Sequence, residues 1–433
     1  MKLWAGRVTA LAAILASGMA VGGGAEAPAG SYSPGAPFLG IHGGPLNDTW
    51  IPESLPTGYA KAWDSLDGPW VFQPPVFSPD GRALYATAKR MDPANSVLAA
   101  MDPKTGNILW KEDAPLSAGG SPLVDDGGII YLAQKAEIVA RDASGQALWR
   151  VPVDSQGFGM HLDSGGRLVF CSGRGVLYLV SRDGKMLSSL DIPAVYGFSR
   201  GVMRDGTFFA GLSNLIGTNG YTSNTIAISG DEIFVVGKSD QGNSGALVRV
   251  RISGDDLIPD GFAYVPDGGK SGASPAISPD GRHVVVSGGG LASGGYYAVY
   301  DSRTLEKEAS FPKQGGVAKG SAAIDGDDCV IWGGGSTVRR TCSAPEGMKD
   351  AWTYEAGETI SSLVTATENQ VLFQTMRGTR YTVHGLDRHT GAELWSSPSS
   401  GISMGTIAVG PGGDLYVTIG MGKYGLEKLV PVP

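Results

Sequence analysis

Three ionisable side chains stand near the starts of short apolar stretches: His161 before LDSGG, Arg200 before GVMRDG and Lys319 before GSAAIDGDD. A neutral imidazole beside a cation is the pairing that removes a proton next to a carboxylate, the imidazole acting as base and the cation neutralising the acid. Tyr196 and Tyr221, on either side of Arg200, add phenols that could serve as the acid. His161, Arg200, Lys319 and Tyr196 are therefore the candidate catalytic set, and their chemistry would suit a polysaccharide lyase. In the competing reading, His161 and Arg200 only hydrogen-bond backbone at the end of a strand. The other histidines offer less. His42 lies in a Gly/Pro-rich stretch, His283 in a strand pattern, and His384 and His389 flank a turn.

Other reaction classes have little support. The acidic turns at 325–328 and 255–256 could hold Ca²⁺, but neither has the 12-residue loop ending in Glu, so no metal or other cofactor is expected. Ser403 sits in a G-x-S-x-G match that lacks the strand before it and the helix after it. The glycine runs lack the Lys-Ser/Thr and following helix of a phosphate loop. Of three cysteines, Cys171 lies in an apolar run (LVFCSG) and reads as core. Cys329 and Cys342 are symmetric about Gly335 and Ser336, which places them opposite each other across a hairpin, close enough for a disulfide. Two separate buried thiols remain the alternative.

The elements that must hold these residues are short strands. A small residue, a short apolar run and an Asp/Gly turn recur from Gln73, Gly119, Gly159, Ser199, Gly272, Lys319, Ser361 and Met404. Successive starts lie about 40–47 residues apart, the spacing of four-stranded propeller blades. The one longer interval, from Ser199 to Gly272, holds a further copy of the signal from Ser223, 24 residues after the first. Residues 199–265 are read as one irregular fourth unit with an insertion, seven or nine units being the alternatives. A second signal marks the other end of each unit. AMDPKTGNILW ends at Trp110, ARDASGQALW at Trp149 and GLDRHTGAELW at Trp395. Asp bonds backbone within its own turn, Gly supplies positive φ, and Trp offers a broad face for packing. Trp63 closes a lone strand (YAKAW, 59–63) without the rest of the unit. The final unit, at about 405–409, 415–419 and 425–430, is one strand short. The expected fold is thus all-β, a single eight-bladed propeller closed by pairing 59–63 with 425–430, with Trp63, Trp110, Trp149 and Trp395 docking blades together.

Composition bounds the partners. With 34 basic and 42 acidic residues the formal charge is −8, and no basic block offers a nucleic-acid surface. Residues 1–27 read as a secretory signal, with Lys2 and Arg7 ahead of an apolar stretch and a small-x-small site at Ala25 and Ala27. Residues 28–58, rich in Gly, Pro and Ser, are expected to run as an extended arm, and 59–433 to form the propeller. An exported monomer with no membrane span after signal cleavage follows, in the periplasm or outside the cell.

The A-x-D-x-x-T-G-x-x-x-W units resemble the tryptophan-docking repeats of the pyrroloquinoline-quinone-like (PQQ-like) β-propeller superfamily. That group includes quinone-dependent alcohol dehydrogenases and a scaffold lipoprotein of outer-membrane assembly. The two SPDGR segments, 78–82 and 278–282, are more similar to other periplasmic propellers. The resemblance implies an eight-bladed ring with each Trp wedged between neighbours. It does not bring the quinone with it: no two cysteines are adjacent, the Glu/Asn/Asp calcium cluster has no counterpart, and no lipobox Cys is present. Two functions are carried forward. One is a binding or scaffold module that recognises a protein or glycan through loops at one channel mouth. The other is a secreted lyase working at the channel with the set named above.

Overall fold

Runs such as Leu84–Ala88 (LYATA) and Ile130–Gln134 (IYLAQ) are short for helices and bounded by turn residues, so they form strands covered on both faces. Both are buried at every position. The structure, a computed structural model, describes residues 32–432 apart from 69, 89–95, 115–119, 158, 201–220, 222–224, 243, 267–272, 289–294, 313–320 and 346. Its strands form eight blades of four antiparallel strands, blade 7 being extended by Trp50–Ile51 and Thr359–Ile360. Blades 1 to 7 span 76–113, 123–152, 160–191, 227–265, 276–312, 323–355 and 365–399, each running from an inner to an outer strand. Inner strands begin at what we term the front face. They end at the rear face, which also carries the turn from third to outer strand.

Blade 8 closes the ring with both ends of the chain. Ile407–Val409, Leu415–Thr418 and Tyr424–Pro431 supply three strands, and Tyr59–Asp67 pairs antiparallel with the last of them, Tyr59 opposite Pro431 and Asp67 opposite Tyr424. The expected closing strand is therefore present and longer than the YAKAW stretch. Blade 4 corrects one expectation. Its inner strand is Ala227–Ser229, from the repeat that begins at Ser223, rather than the stretch after Ser199.

Tryptophans join the blades at the rear face. Trp63 of blade 8 donates Nε1–H to the Pro103 carbonyl, Trp110 of blade 1 to Ala143, and Trp149 of blade 2 to Arg182. Each acceptor lies in the third-to-outer turn of the next blade. Sequence inspection missed Trp352 of blade 6, which donates to the Arg388 carbonyl at 2.8 Å. Each ring lies against the turn's glycine. At Gly391, with φ +72°, a Cβ would sit 2.7 Å from the Trp352 ring. The repeat unit therefore serves two interfaces: its Gly receives the preceding blade's Trp, and its own Trp reaches the following blade. Trp395 differs because no turn joins the third strand of blade 8 to its outer strand, Tyr59–Asp67, which comes from earlier in the chain. Its ring packs 4.8 Å from Tyr59 and donates to Gln370 Oε1. In blade 5, Leu305 takes the glycine's place with φ 59°, its side chain against Gly261 of blade 4.

Cys329 and Cys342 form a disulfide with a Cα–Cα distance of 4.3 Å, in the register set by Val330 opposite Thr341. Closing a loop of this size stabilises a fold by about 3 kcal/mol through the unfolded chain. Replacing both cysteines by Ser is expected to lower the unfolding free energy by about that amount, read from urea midpoints under non-reducing conditions. Cys171 is buried in the second strand of blade 3.

Candidate functional site

An inner strand bordering an open channel would leave one edge of N–H and C=O groups without backbone partners. Here residues 32–56 meet that need. The Ser33 amide and hydroxyl donate to Val124 O of blade 2 and Phe77 O of blade 1, and Tyr32 Oη accepts from the Leu162 amide of blade 3. Pro45, Leu46, Asp48 and Thr49 carbonyls then accept from Ile228, Ile277, Ile324 and Ala366, one in each of blades 4 to 7. Trp50–Ile51 finally pairs parallel with blade 7. Between these contacts the segment turns at Ile41–Gly43, where the Thr49 amide donates to His42 O. The His42 ring reaches Ser321, just ahead of the blade 6 inner strand. The extended arm expected at 28–58 is, over the described residues, a plug threaded into the channel.

The plug decides where the candidate catalytic residues stand. His161 lies in the inner strand of blade 3 and is 0 % exposed. Its Nε2 is 3.2 Å from Asn47 Oδ1 and its Nδ1 3.4 Å from Tyr32 Oη. Asn47 uses its amide hydrogens on Ile226 O and Pro275 O, so the oxygen facing His161 is an acceptor and Nε2 carries the proton. Burial, with the like charge of His42 adding to it, drives the His161 pKa down to about 3. Arg200 is far from the inner strands' starts, paired with Asp191 at the end of the blade 3 outer strand. Tyr196 ends the short helix Ile192–Tyr196, stacks on Phe198 and meets Phe262 of the blade 4 outer strand edge-on. Tyr221 is buried against Gly175 and Gly237, between blades 3 and 4. Lys319 lies outside the described residues. Among the described residues, then, His161 belongs to the channel, Arg200 and Tyr196 to the outer part of the blades, and the three are not brought together.

The acidic turns hold cations of the protein itself. Asp325 and Asp327 accept from Arg340 and Arg388, and Asp255 pairs with Arg167. Arg388 and Arg182 are matched: each offers its backbone carbonyl to the preceding blade's Trp and its guanidinium to that blade's inner-strand turn, at Asp325 and Asp125 respectively. Among the described residues, no group of three or more His, Cys, Asp or Glu is arranged to hold a metal ion.

Where the plug meets the rear face it leaves a cleft of about 650 Å³. Leu39, Leu46, Trp50 and Pro52 form much of its wall, completed by the turns at Ser164, Gly230 and Pro279. Asp48 and Glu53 are the ionisable residues of the lining. Asp48 is 6 % exposed, and its Oδ1 accepts from the Trp50 amide at 3.3 Å. Burial pushes its carboxyl up to about 8, because the charged form has lost water without gaining a cation. A smaller front-face cavity includes Ser361 and Met404 and has no ionisable lining residue.

The family model described as outer membrane protein assembly factor BamB matches residues 93–253. The quinohemoprotein alcohol dehydrogenase from Comamonas testosteroni superposes on 93% of this chain and 81% of its own, with a TM-score of 0.67 at 12% identity. The fold is the PQQ-like β-propeller. This PQQ-like propeller is also similar to BamB from Moraxella catarrhalis, with a TM-score of 0.56 at 11% identity over 86% of this chain and 99% of that one. The Dos1 propeller gives 0.58 at 14% identity, covering 86% and 95% of the two chains. No curated protein sequence matches significantly. The cysteines of this propeller are either buried singly or bonded 13 residues apart, so none forms the adjacent pair that the resemblance to quinone dehydrogenases calls for.

Proposed function

We propose that this chain is an exported, monomeric binding module that holds a protein partner at the rear-face cleft. The observation that carries this reading is the path of residues 32–56, which fills the channel from within and leaves an apolar, acid-marked cleft on the rear side. A lyase needs its base at a solvated surface, whereas His161 is enclosed by Tyr32 and Asn47. The family model matched over residues 93–253 is described as an assembly factor, which is consistent with a binding role. The signal-like residues 1–27 and the disulfide support export, since disulfides persist in oxidising compartments.

Two measurements test this. A photoreactive residue at Ser164, on the cleft rim, should cross-link to one discrete protein in cells, while the same residue at exposed Leu109 on the blade 1 outer strand should not. Incubation with uronate-containing polysaccharides should yield no unsaturated product absorbance; sustained product formation would replace the binding reading with the lyase.

His161→Ala separates the two at one residue. Removing the ring leaves Asn47 and Tyr32 facing a void, and an unsatisfied buried polar group costs about 1–3 kcal/mol. The expected result is a stability loss of that size with cross-linking at Ser164 unchanged. Full stability together with a lost glycan-cleaving activity would instead make the imidazole a base.

A further inference from the structure

We propose that the rear-face cleft takes the ammonium of a Lys side chain, presented by an apolar segment of the protein partner, and that Asp48 is its counter-charge. The proposal rests on the binding reading above and names the chemistry of the partner. Three buried aspartates in inner-strand turns of this face show what this protein does with such a charge. Asp125, Asp163 and Asp325 are each 0 % exposed, and each has an Arg: Arg182, Arg167, and the pair Arg340 and Arg388. Asp48 is buried nearly as deeply, and among the described residues its carboxyl meets backbone amides, Trp50's and its own, and no cation. A buried carboxyl with no cation beside it keeps its proton, and an ammonium brought against it lets that proton leave to solvent and the carboxylate form, as the arginines do for the other three. Among the described residues no Lys, Arg or His lines this cleft, and the cation that completes the pattern is one brought by a partner.

The rest of the site selects among cations. Oδ1 of Asp48 already accepts the Trp50 amide, so the two-pronged carboxylate that suits a guanidinium fork is half occupied. Lys presents a compact point charge on a slender four-carbon stem, which one remaining oxygen can hold. The walls built by Leu39, Leu46, Trp50 and Pro52 match such an apolar stem and its neighbours. Glu53 at the rim adds attraction of the same sign, as does the chain's formal charge of −8. The volume, about 650 Å³, lies within the about 300–1,000 Å³ usual for ligand clefts.

The test uses labelled, acetylated and amidated nonapeptides of Leu, Pro and Ala with a central Lys, Arg or norleucine, titrated by fluorescence anisotropy against the whole protein and Asp48→Asn. Asn keeps the acceptor for the Trp50 amide, so the fold should hold, and the melting temperature checks it. The expected result is saturable binding of Lys peptides, at least tenfold weaker binding of norleucine peptides, and loss of that difference in Asp48→Asn. Equal binding of Lys and norleucine peptides to the parent would overturn the cation while leaving the cleft a protein site. Preference for Arg over Lys would overturn the choice of ammonium. Competition by n-butylamine alone at peptide concentrations would make the ligand a small amine and overturn the peptide claim. Failure of every peptide, with no cross-link from Ser164, would overturn the proposal and the binding reading together.

Discussion

Deleting residues 1–67 is expected to abolish the closed, monomeric ring. The outer strand Tyr59–Asp67 carries seven registered pairs with Tyr424–Pro431 and buries Tyr59 and Leu66 against the blade 8 core. Burial of two such side chains contributes about 3–6 kcal/mol, and the opened ladder about 1 kcal/mol for each bond lost. That sum rivals the whole stability of a typical fold, about 5–15 kcal/mol. It would also leave two raw edges, on blade 8 and at the blade 7 contact of Trp395 with Tyr59. Size-exclusion chromatography with light scattering should show aggregates and no cooperative melt. Deleting only 1–56 keeps the closing strand but strips the plug from seven inner strands. That shorter deletion should give a closed monomer of lowered melting temperature. A soluble monomer with parental melting behaviour after the longer deletion would refute closure by the N-terminal strand.

The second large effect is expected at Trp352, although its own blade lacks the Asp-x-x-Thr-Gly turn. It is 8 % exposed, with its ring on Gly391 and its indole N–H on Arg388 O, so Trp352→Ala removes a buried aromatic and leaves that carbonyl bare. A cost of about 3–5 kcal/mol is expected. Trp110→Ala should cost less, because Trp110 is only half-buried. Gly391→Ala approaches the same contact from the other side, combining positive φ with a Cβ driven into the ring, and should lose about 1–3 kcal/mol. Denaturant midpoints of the three variants check this order. A Trp352→Ala loss below that of Trp110→Ala would mean that the blade 6–7 contact is not what the geometry implies.

Both predictions show where local pattern stopped being enough. A Thr-Gly turn and its Trp are visible because they repeat at fixed offsets in one stretch of chain. Which Gly receives which Trp is not, because the partners lie on successive blades: Trp352 is 36 residues from Arg388, and nothing near Trp352 marks it. Pairing each Trp with its own turn therefore overlooked Trp352, and gave no sign that Trp395 docks on Tyr59 of blade 8 instead of on a turn glycine. The insertion before blade 4 misled for a related reason. Two strand-like starts lay within 24 residues, and only pairing with Glu232–Lys238 selects Ala227–Ser229 as the inner strand.

What the sequence alone determined is whatever rests on short periods and register: the all-β class, eight blades, closure by the YAKAW strand, and cysteines placed to face each other. Alternation, turn residues and hairpin symmetry act over a few neighbouring positions, so they are written locally. The tertiary structure decided the rest. Residues 32–56 bond blades 1 to 7 through scattered backbone groups and a few side chains, which leaves no side-chain period to read. Their partners are distant, Tyr32 and His161 being 129 residues apart. That single path encloses His161 as a neutral imidazole, leaves the rear cleft that we propose as the binding site, and buries Asp48 with no cation beside it among the described residues. Burial and charge pairing are set by what the folded chain brings together in three dimensions, so these properties appear only once the ring is closed.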